Sequence, residues 1–268
     1  MDFRTTVAIP KADFQVEPME EMLFVGSCFA DSIGQRFRDE KFRATVNPFG
    51  TMYNPVSVLH TIERCEAAAR IVFITLGTNH VYRLKETGQI VDNCQKRPQR
   101  LFNEERLSIG ECADALQRAV DVLKARRSDV RIVFTVSPIR YAKYGYHESQ
   151  LSKATLLMAI EKVAGNNPSP TVSYFPAYEI VLDELRDYRF YREDMLHPSA
   201  QAVEYIWERI GETYFSAATR QFLEEWRPLK QALAHRPFDA DSKEYREFLD
   251  KTMLKVAELS KKYPTFAL

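Results

Sequence analysis

Three short segments of the 268-residue chain carry residues able to act together on a carbonyl group. In Phe24-Val25-Gly26-Ser27-Cys28-Phe29-Ala30 a serine stands between an apolar run and a segment of helical period. A hydroxyl at that junction lies beside the N–H groups that open a helix, where negative charge is favoured; its plainer use is an N-cap that starts the helix. In Asp194-Met195-Leu196-His197-Pro198 an aspartate and a histidine three residues apart precede a second helix. The carboxylate can accept from one imidazole nitrogen, fix the tautomer and leave the other nitrogen to take a hydroxyl proton; the plainer reading is a solvated pre-helix turn. In Thr75-Leu76-Gly77-Thr78-Asn79-His80 an asparagine follows a strand. Its amide can serve an oxyanion, a donor whose loss typically costs about 10²–10³ in rate, or it can simply order a loop. Taken together the segments lay out serine acyl transfer: Ser27 attacks, His197 takes the proton and Asp194 orients His197. Cys28 is the rival nucleophile, since thiol pKa values fall at helix N-termini, although beside a cleft-facing Ser27 it is expected to point into the core. His80 is the rival base.

These groups converge only if an open parallel sheet carries them, because ligands gather beyond the carboxyl ends of its strands. Short apolar runs alternating with segments of helical period predict such an α/β layer fold. Strands are expected at 22–25, 43–46, 71–76, 131–136 and 171–175. Helices are expected at 28–37, 55–69, 104–127, 148–163 and after Ser199, which sits where an N-cap belongs. Residues 81–95 alternate weakly around Gly88 and predict a hairpin excursion at the sheet edge. The stretch after 131–136 should overhang the same edge as Ser27. Its Arg140, Tyr141, Lys143, Tyr144 and Tyr146 suit a wall for a sugar ring or an anionic acyl carrier, or a plain surface loop. Tyr188, Phe190 and Tyr191 belong to the same wall or to the core. From about Phe222 the chain reads as helical throughout. There Asp241 and Glu244 have capping-box spacing, and Tyr245, Phe248, Leu249, Met253, Val256 and Leu259 form a stripe. The expected organisation is one α/β domain over 1–221 with a helical extension over 222–268. That extension either adds a layer to its own chain or joins copies into an oligomer.

Composition removes other functions. Lys plus Arg number 37 and Asp plus Glu 37, so no basic footprint of a nucleic-acid binder stands out. The nine glycines never cluster closely enough for a dinucleotide fingerprint or a P-loop. The five histidines show no metal-ligand spacing, so neither metal nor cofactor is expected. The four cysteines lack regular spacing and the Met1–Thr6 start lacks a leader pattern, which predicts reduced thiols and a cytoplasmic location. No stretch is apolar enough to predict a membrane span.

Gly26-Ser27-Cys28-Phe29-Ala30 is the signature for which the GSCFA family is named. Asn47-Pro48-Phe49-Gly50, Tyr53-Asn54-Pro55 and Asp194-Met195-Leu196-His197-Pro198 resemble further motifs of that family, so the resemblance runs to about residue 210. The family in turn resembles the SGNH, or GDSL, hydrolases, which implies a three-layer α/β/α flavodoxin-like fold and no cofactor. By that resemblance Ser27 is the nucleophile and also an oxyanion donor through its backbone N–H. Gly50 supplies a second N–H, with Asn47 or Asn54 as alternatives, Asn79 donates from its side chain, and Asp194 and His197 complete the triad. Two blocks depart from the usual pattern: Val25-Gly26-Ser27 replaces Gly-Asp-Ser, and Gly77-Thr78-Asn79-His80 replaces Gly-x-Asn-Asp. The expected activity is an esterase or acyltransferase acting on an O-acyl ester, such as a short acyl group on a carbohydrate. The alternative is a non-catalytic ligand-binding protein on the same fold.

Overall fold

The computed structural model describes residues 4–94, 97–239 and 241–268. Met1 to Phe3, part of the segment read for a leader, and Gln95, the end of the predicted excursion, lie outside the described residues. In chain order, β1 (Glu21–Gly26) leads to α1 (Cys28–Asp39), β2 (Arg43–Val46), α2 (Pro55–Arg64) and β3 (Ile71–Leu76). An excursion of β4 (His80–Leu84), β5 (Ile90–Val91) and β6 (Phe102–Arg106) follows. Then come α3 (Ile109–Arg126), β7 (Arg131–Val136), α4 (Tyr146–Asn166) and β8 (Val172–Tyr174). A short α5 (Ala177–Glu179) runs into a π-helical turn, Ile180–Leu185, ahead of α6 (Ala200–Tyr214), α7 (Ala217–Ala234) and α8 (Lys243–Lys262).

The central sheet has the order β2-β1-β3-β7-β8 with every pair parallel, the doubly wound flavodoxin-like arrangement. Both faces of such a sheet are covered, which is why β3 is apolar but for Thr75 and has no residue exposed. Leu23, Val25, Val72 and Ile74 pack under α2, α3 and α4. Met22, Phe24, Ile71 and Phe73 turn to the opposite face under α1 and α6. There Phe37 meets Trp207 edge-on with ring centres 4.7 Å apart.

The hairpin excursion expected at 81–95 is β4 and β5, which β6 joins in a three-stranded antiparallel sheet, β5-β4-β6, separate from the main one. Two expectations need correction. Residues 104–106, expected at the start of a helix, pair with β4 instead. The helix begins at Ile109 because Ser108 and Glu111 form a reciprocal capping box there. The last helix is capped by Ser242, whose hydroxyl accepts from the Tyr245 N–H, and not by Asp241. Its buried face accordingly runs through Thr252, Val256 and Leu259, while Phe248 and Met253 of the expected stripe are exposed.

The C-terminal helices pack on the same chain. Met19 from the body joins Phe222, Trp226, Leu229, Val256, Leu259 and Phe266 in one cluster. Lys230 pairs with the buried Glu40 at the end of α1 at 2.9 Å. The expected boundary between 221 and 222 falls inside α7. Among the described residues no helix is long and apolar enough to cross a membrane.

Candidate active site

β1 ends on Gly26, whose φ of +140° brings it against β3 so closely that a Cβ would lie 2.0 Å from the Thr75 carbonyl oxygen. Only glycine fits. The next residue, Ser27, is buried and caps α1, its Oγ accepting from the Phe29 N–H at 3.3 Å. The N-cap use read from the sequence and a place at the sheet edge thus coexist. Asn47, just past β2 and itself at φ +39°, fixes this corner. Its Oδ1 accepts from the Gly26 N–H at 2.8 Å and its Nδ2 donates to Asp31 on α1 at 2.7 Å.

The residues directly after β1, β3 and β7, namely Ser27, Gly77 and Ser137, line one cavity of about 340 Å³. Cys28, Tyr53, Arg140, Tyr141, Lys143, Lys153 and His197 complete most of its wall. Cavities at the carboxyl edge of a parallel sheet are the usual ligand sites of such folds. Cys28, expected in the core, is half-buried on this cavity and lies 3.4 Å from the Tyr53 hydroxyl. The core beneath the helix start is already filled by Phe29 and Ala30.

His197 reaches the cavity from the loop before α6. Its Nδ1 lies 2.6 Å from Asp194 Oδ2, while Asp194 Oδ1 accepts from the backbone N–H groups of His197 and Leu196 at 2.9 and 2.8 Å. Those backbone bonds, then the imidazole contact, hold the Asp194 carboxyl at about 2. Asp194 is therefore an anion at neutral pH, and it presents the imidazole with Nε2 free of that contact. Two arginines pin the loop: Arg140 Nη1 donates to the Met195 carbonyl at 2.9 Å, and Arg192 Nε to the Pro198 carbonyl at 3.2 Å.

Other expected site residues lie apart from the cavity or are engaged at its edge. The Ser27 N–H donates to the Thr75 carbonyl at 3.1 Å. Gly50 sits in an exposed turn where its N–H donates to the Asn47 carbonyl at 2.9 Å. Asn79 is buried away from the cavity, its Nδ2 donating to the Leu107 carbonyl at 2.7 Å. Asn54 caps α2 through the Ser57 N–H at 2.9 Å. Tyr144 leaves the wall to stack on His80, ring centres 4.0 Å apart. That contact keeps His80 on the excursion sheet, and burial lowers its pKa. Arg140 and Tyr141 do line the cavity.

Lys153 was not singled out from the sequence. It is fully buried on α4, and its Nζ donates to the carbonyls of Gly77 and Ser137, each at 2.8 Å. Desolvation pulls its pKa down to about 7. A signal was present: a lysine three residues before Leu156 and seven before Ile160 occupies the apolar face of its helix.

The layers, the sheet order and the cavity define an α/β protein of SGNH hydrolase-like fold. The chain belongs to the GSCFA family: residues 21–69 and 63–210 match that family, and 226–268 match the C-terminal domain of GSCFA domain proteins. No curated protein matches it in sequence. A solved structure assigned as a GDSL-like lipase from Parabacteroides merdae is similar in fold. It is 11% identical at a TM-score of 0.50, with 76% of this chain and 98% of that chain covered. A GDSL-like lipase from Bacteroides thetaiotaomicron matches at 12% identity and a TM-score of 0.46, over 78% of this chain and 89% of that one. A family two carbohydrate esterase from Clostridium thermocellum matches at 11% identity and a TM-score of 0.46, over 82% and 67%.

Proposed function

We propose that this protein is a serine-dependent esterase or O-acyltransferase that works through an acyl group on Ser27. The observation carrying this reading is that Ser27 and His197 line one cavity while His197 Nδ1 lies 2.6 Å from an ionised Asp194. In the reaction, Ser27 Oγ attacks the ester carbonyl as its proton passes to His197 Nε2. Collapse of the tetrahedral adduct expels the alcohol, which takes that proton from His197. Water, or an acceptor hydroxyl in a transferase, then resolves the acyl-enzyme by the same steps reversed. A cavity of about 340 Å³ suits a short acyl group, such as one carried by a carbohydrate. The same reading keeps the cytoplasmic setting expected from the sequence, supported by four unpaired cysteines.

One observation favours the second reading, a ligand-binding protein with a silent site. The N–H groups of Ser27 and Gly50 and the Asn79 amide all donate within the protein, so each must be released or supplemented to stabilise an oxyanion. Labelling with a fluorophosphonate, mapped by mass spectrometry, separates the two. The esterase reading expects one adduct on Ser27, absent in Ser27→Ala, retained in Cys28→Ala and strongly slowed in His197→Ala. A folded wild type that takes no adduct leaves the binding protein.

A further inference from the structure

The chain has no net charge, yet the wall of this cavity carries Arg140, Lys143 and Lys153 and no carboxylate. Lys143 is paired with Glu104 at 2.9 Å. Among the described residues Arg140 and Lys153 form no ion pair; Arg140 donates to the Met195 carbonyl and lies 4.2 Å from the Tyr146 ring centre. Lys153 is the more telling of the two because it is buried. An ammonium withdrawn from water is strongly disfavoured unless charge or hydrogen bonds offset the loss. Its Nζ has two carbonyl partners, and the protonated form has one N–H more than those two use. Two neutral oxygens make an incomplete site for a cation, and the residue that carries it lines the cavity.

We infer that the ligand of this cavity is anionic, a carboxylate-bearing ester whose negative group is seated against Lys153 beside Ser27. This rests on the proposed acylation of Ser27 for its catalytic half, but not for its binding half. A carboxylate there completes the coordination of the ammonium, and a charge-assisted hydrogen bond in a desolvated site is among the stronger polar contacts. The charge of Lys153 is also the property most open to titration, since desolvation alone holds its pKa near 7. The titratable and charged groups facing it are the Tyr178 ring of α5, 5.8 Å away, and the cavity's Cys28, Tyr53, Arg140, Tyr141, Lys143 and His197. None of these is a carboxylate, so an anion arriving in the cavity is the group that would restore the proton.

The test compares two activated esters, neutral 4-nitrophenyl acetate and anionic 4-nitrophenyl hemisuccinate, through the ratio of their kcat/KM values. Both need Ser27 and His197, so the ratio cancels the triad. The expected ratio favours the hemisuccinate by about tenfold or more at pH 6. It falls as pH rises past 7 and drops to one or below in Lys153→Met. A wild-type ratio at or below one, or a ratio that ignores pH, overturns the inference. So does a ratio unchanged in folded Lys153→Met. If that variant does not fold, the pH dependence of the wild-type ratio decides. If Ser27 takes no fluorophosphonate and neither ester is turned over, the acylation reading fails by itself. Calorimetry with succinate at pH 6 then decides the binding half: saturable binding that weakens at pH 9 upholds it, and no binding overturns it.

Discussion

Arg140 holds Met195 by a hydrogen bond from Nη1 to the carbonyl oxygen at 2.9 Å, so the loop after β7 grips the turn between Asp194 and His197. Met195 is in the left-handed region, φ +58°, a conformation a non-glycine side chain adopts at a cost. The Arg140 N–H adds a second tie, to the Leu196 carbonyl at 3.0 Å. Arg140 thus holds the loop that carries the Asp–His pair and also lines the cavity. Arg140→Ala should slow fluorophosphonate labelling of Ser27 by about tenfold, with the adduct still on Ser27, because misplacement of a reacting group is costly in rate. Arg140→Lys, which keeps the charge without the planar fork, should recover little of it. Full recovery by lysine would assign the effect to charge.

Asp194 is held at about 2, first by the His197 N–H, then by that of Leu196, then by the imidazole. A lowered folded pKa means that the favourable contribution is present above the unfolded value, near 3.8, and is lost as pH falls through about 2. The carboxylate therefore stays charged across any practical assay range, and an acid limb in the labelling rate should not come from it. Asp194→Asn retains an oxygen for the two backbone donors but removes the anion that orients the imidazole. Labelling should fall by on the order of 10²–10⁴ with little change in stability. A wild-type acid limb that disappears in Asp194→Asn would contradict this.

Lys153 is also lowered, but because burial disfavours its charged form rather than because partners favour it. Its folded pKa, about 7, lies below its ordinary 10.5, so from pH 7 to 10.5 the unfolded chain holds a proton that the folded chain has released. Stability must rise with pH through that window, and the burden of the buried charge is fully present below it. The span sets an upper limit of about 5 kcal/mol on the change. Wild type minus Lys153→Met, measured by urea unfolding between pH 6 and 10, should show that rise. Parallel curves for the two proteins would mean that Lys153 titrates normally.

Asn79 was expected to serve an oxyanion, yet its amide lies on the Leu107 carbonyl at 2.7 Å, where the excursion sheet returns to α3. Asn79→Ala should cost about 1–3 kcal/mol of stability by stranding that buried carbonyl. The labelling rate of the folded variant should change by less than tenfold. A loss nearer 10²–10³ would restore the oxyanion role.

What could be read from the chain followed the range of the signals. The strands 71–76 and 131–136 were legible to the residue because a buried parallel strand is a near-continuous apolar run with sharp ends, and the half-exposed edge strand 43–46 was legible from its place between two helical segments. The positions of Ser27 at the start of α1 and of Asp194 and His197 ahead of α6 were legible because each stands near an element boundary, and Ser27 and His197 do line one cavity. The start of α3 was not, since Leu107 continues the helical period although Ser108 is the residue that caps. Lys153 was missed for a different reason. Its partners are two backbone carbonyls 76 and 16 residues away, and no side-chain pattern records where a strand's last carbonyl points.

The tail offers a last separation of roles. Trp226 is buried between Met19 of the body and Phe266 of the C-terminus, with its ring 5.3 Å from that of Phe266. Its indole N–H reaches the Asp39 carbonyl at the end of α1 at 3.5 Å. α1 is also the helix that Ser27 caps, so the tail braces the far end of the element whose near end opens on the cavity. Removing the indole leaves a void that α7 and α8 cannot easily close, and Trp226→Ala should lower stability by about 3–5 kcal/mol. If the helices serve only this chain, the variant keeps the wild-type mass in solution and, below its melting range, labels Ser27 at the wild-type rate. A wild-type oligomer that dissociates in Trp226→Ala would instead make the C-terminal helices an interface between copies.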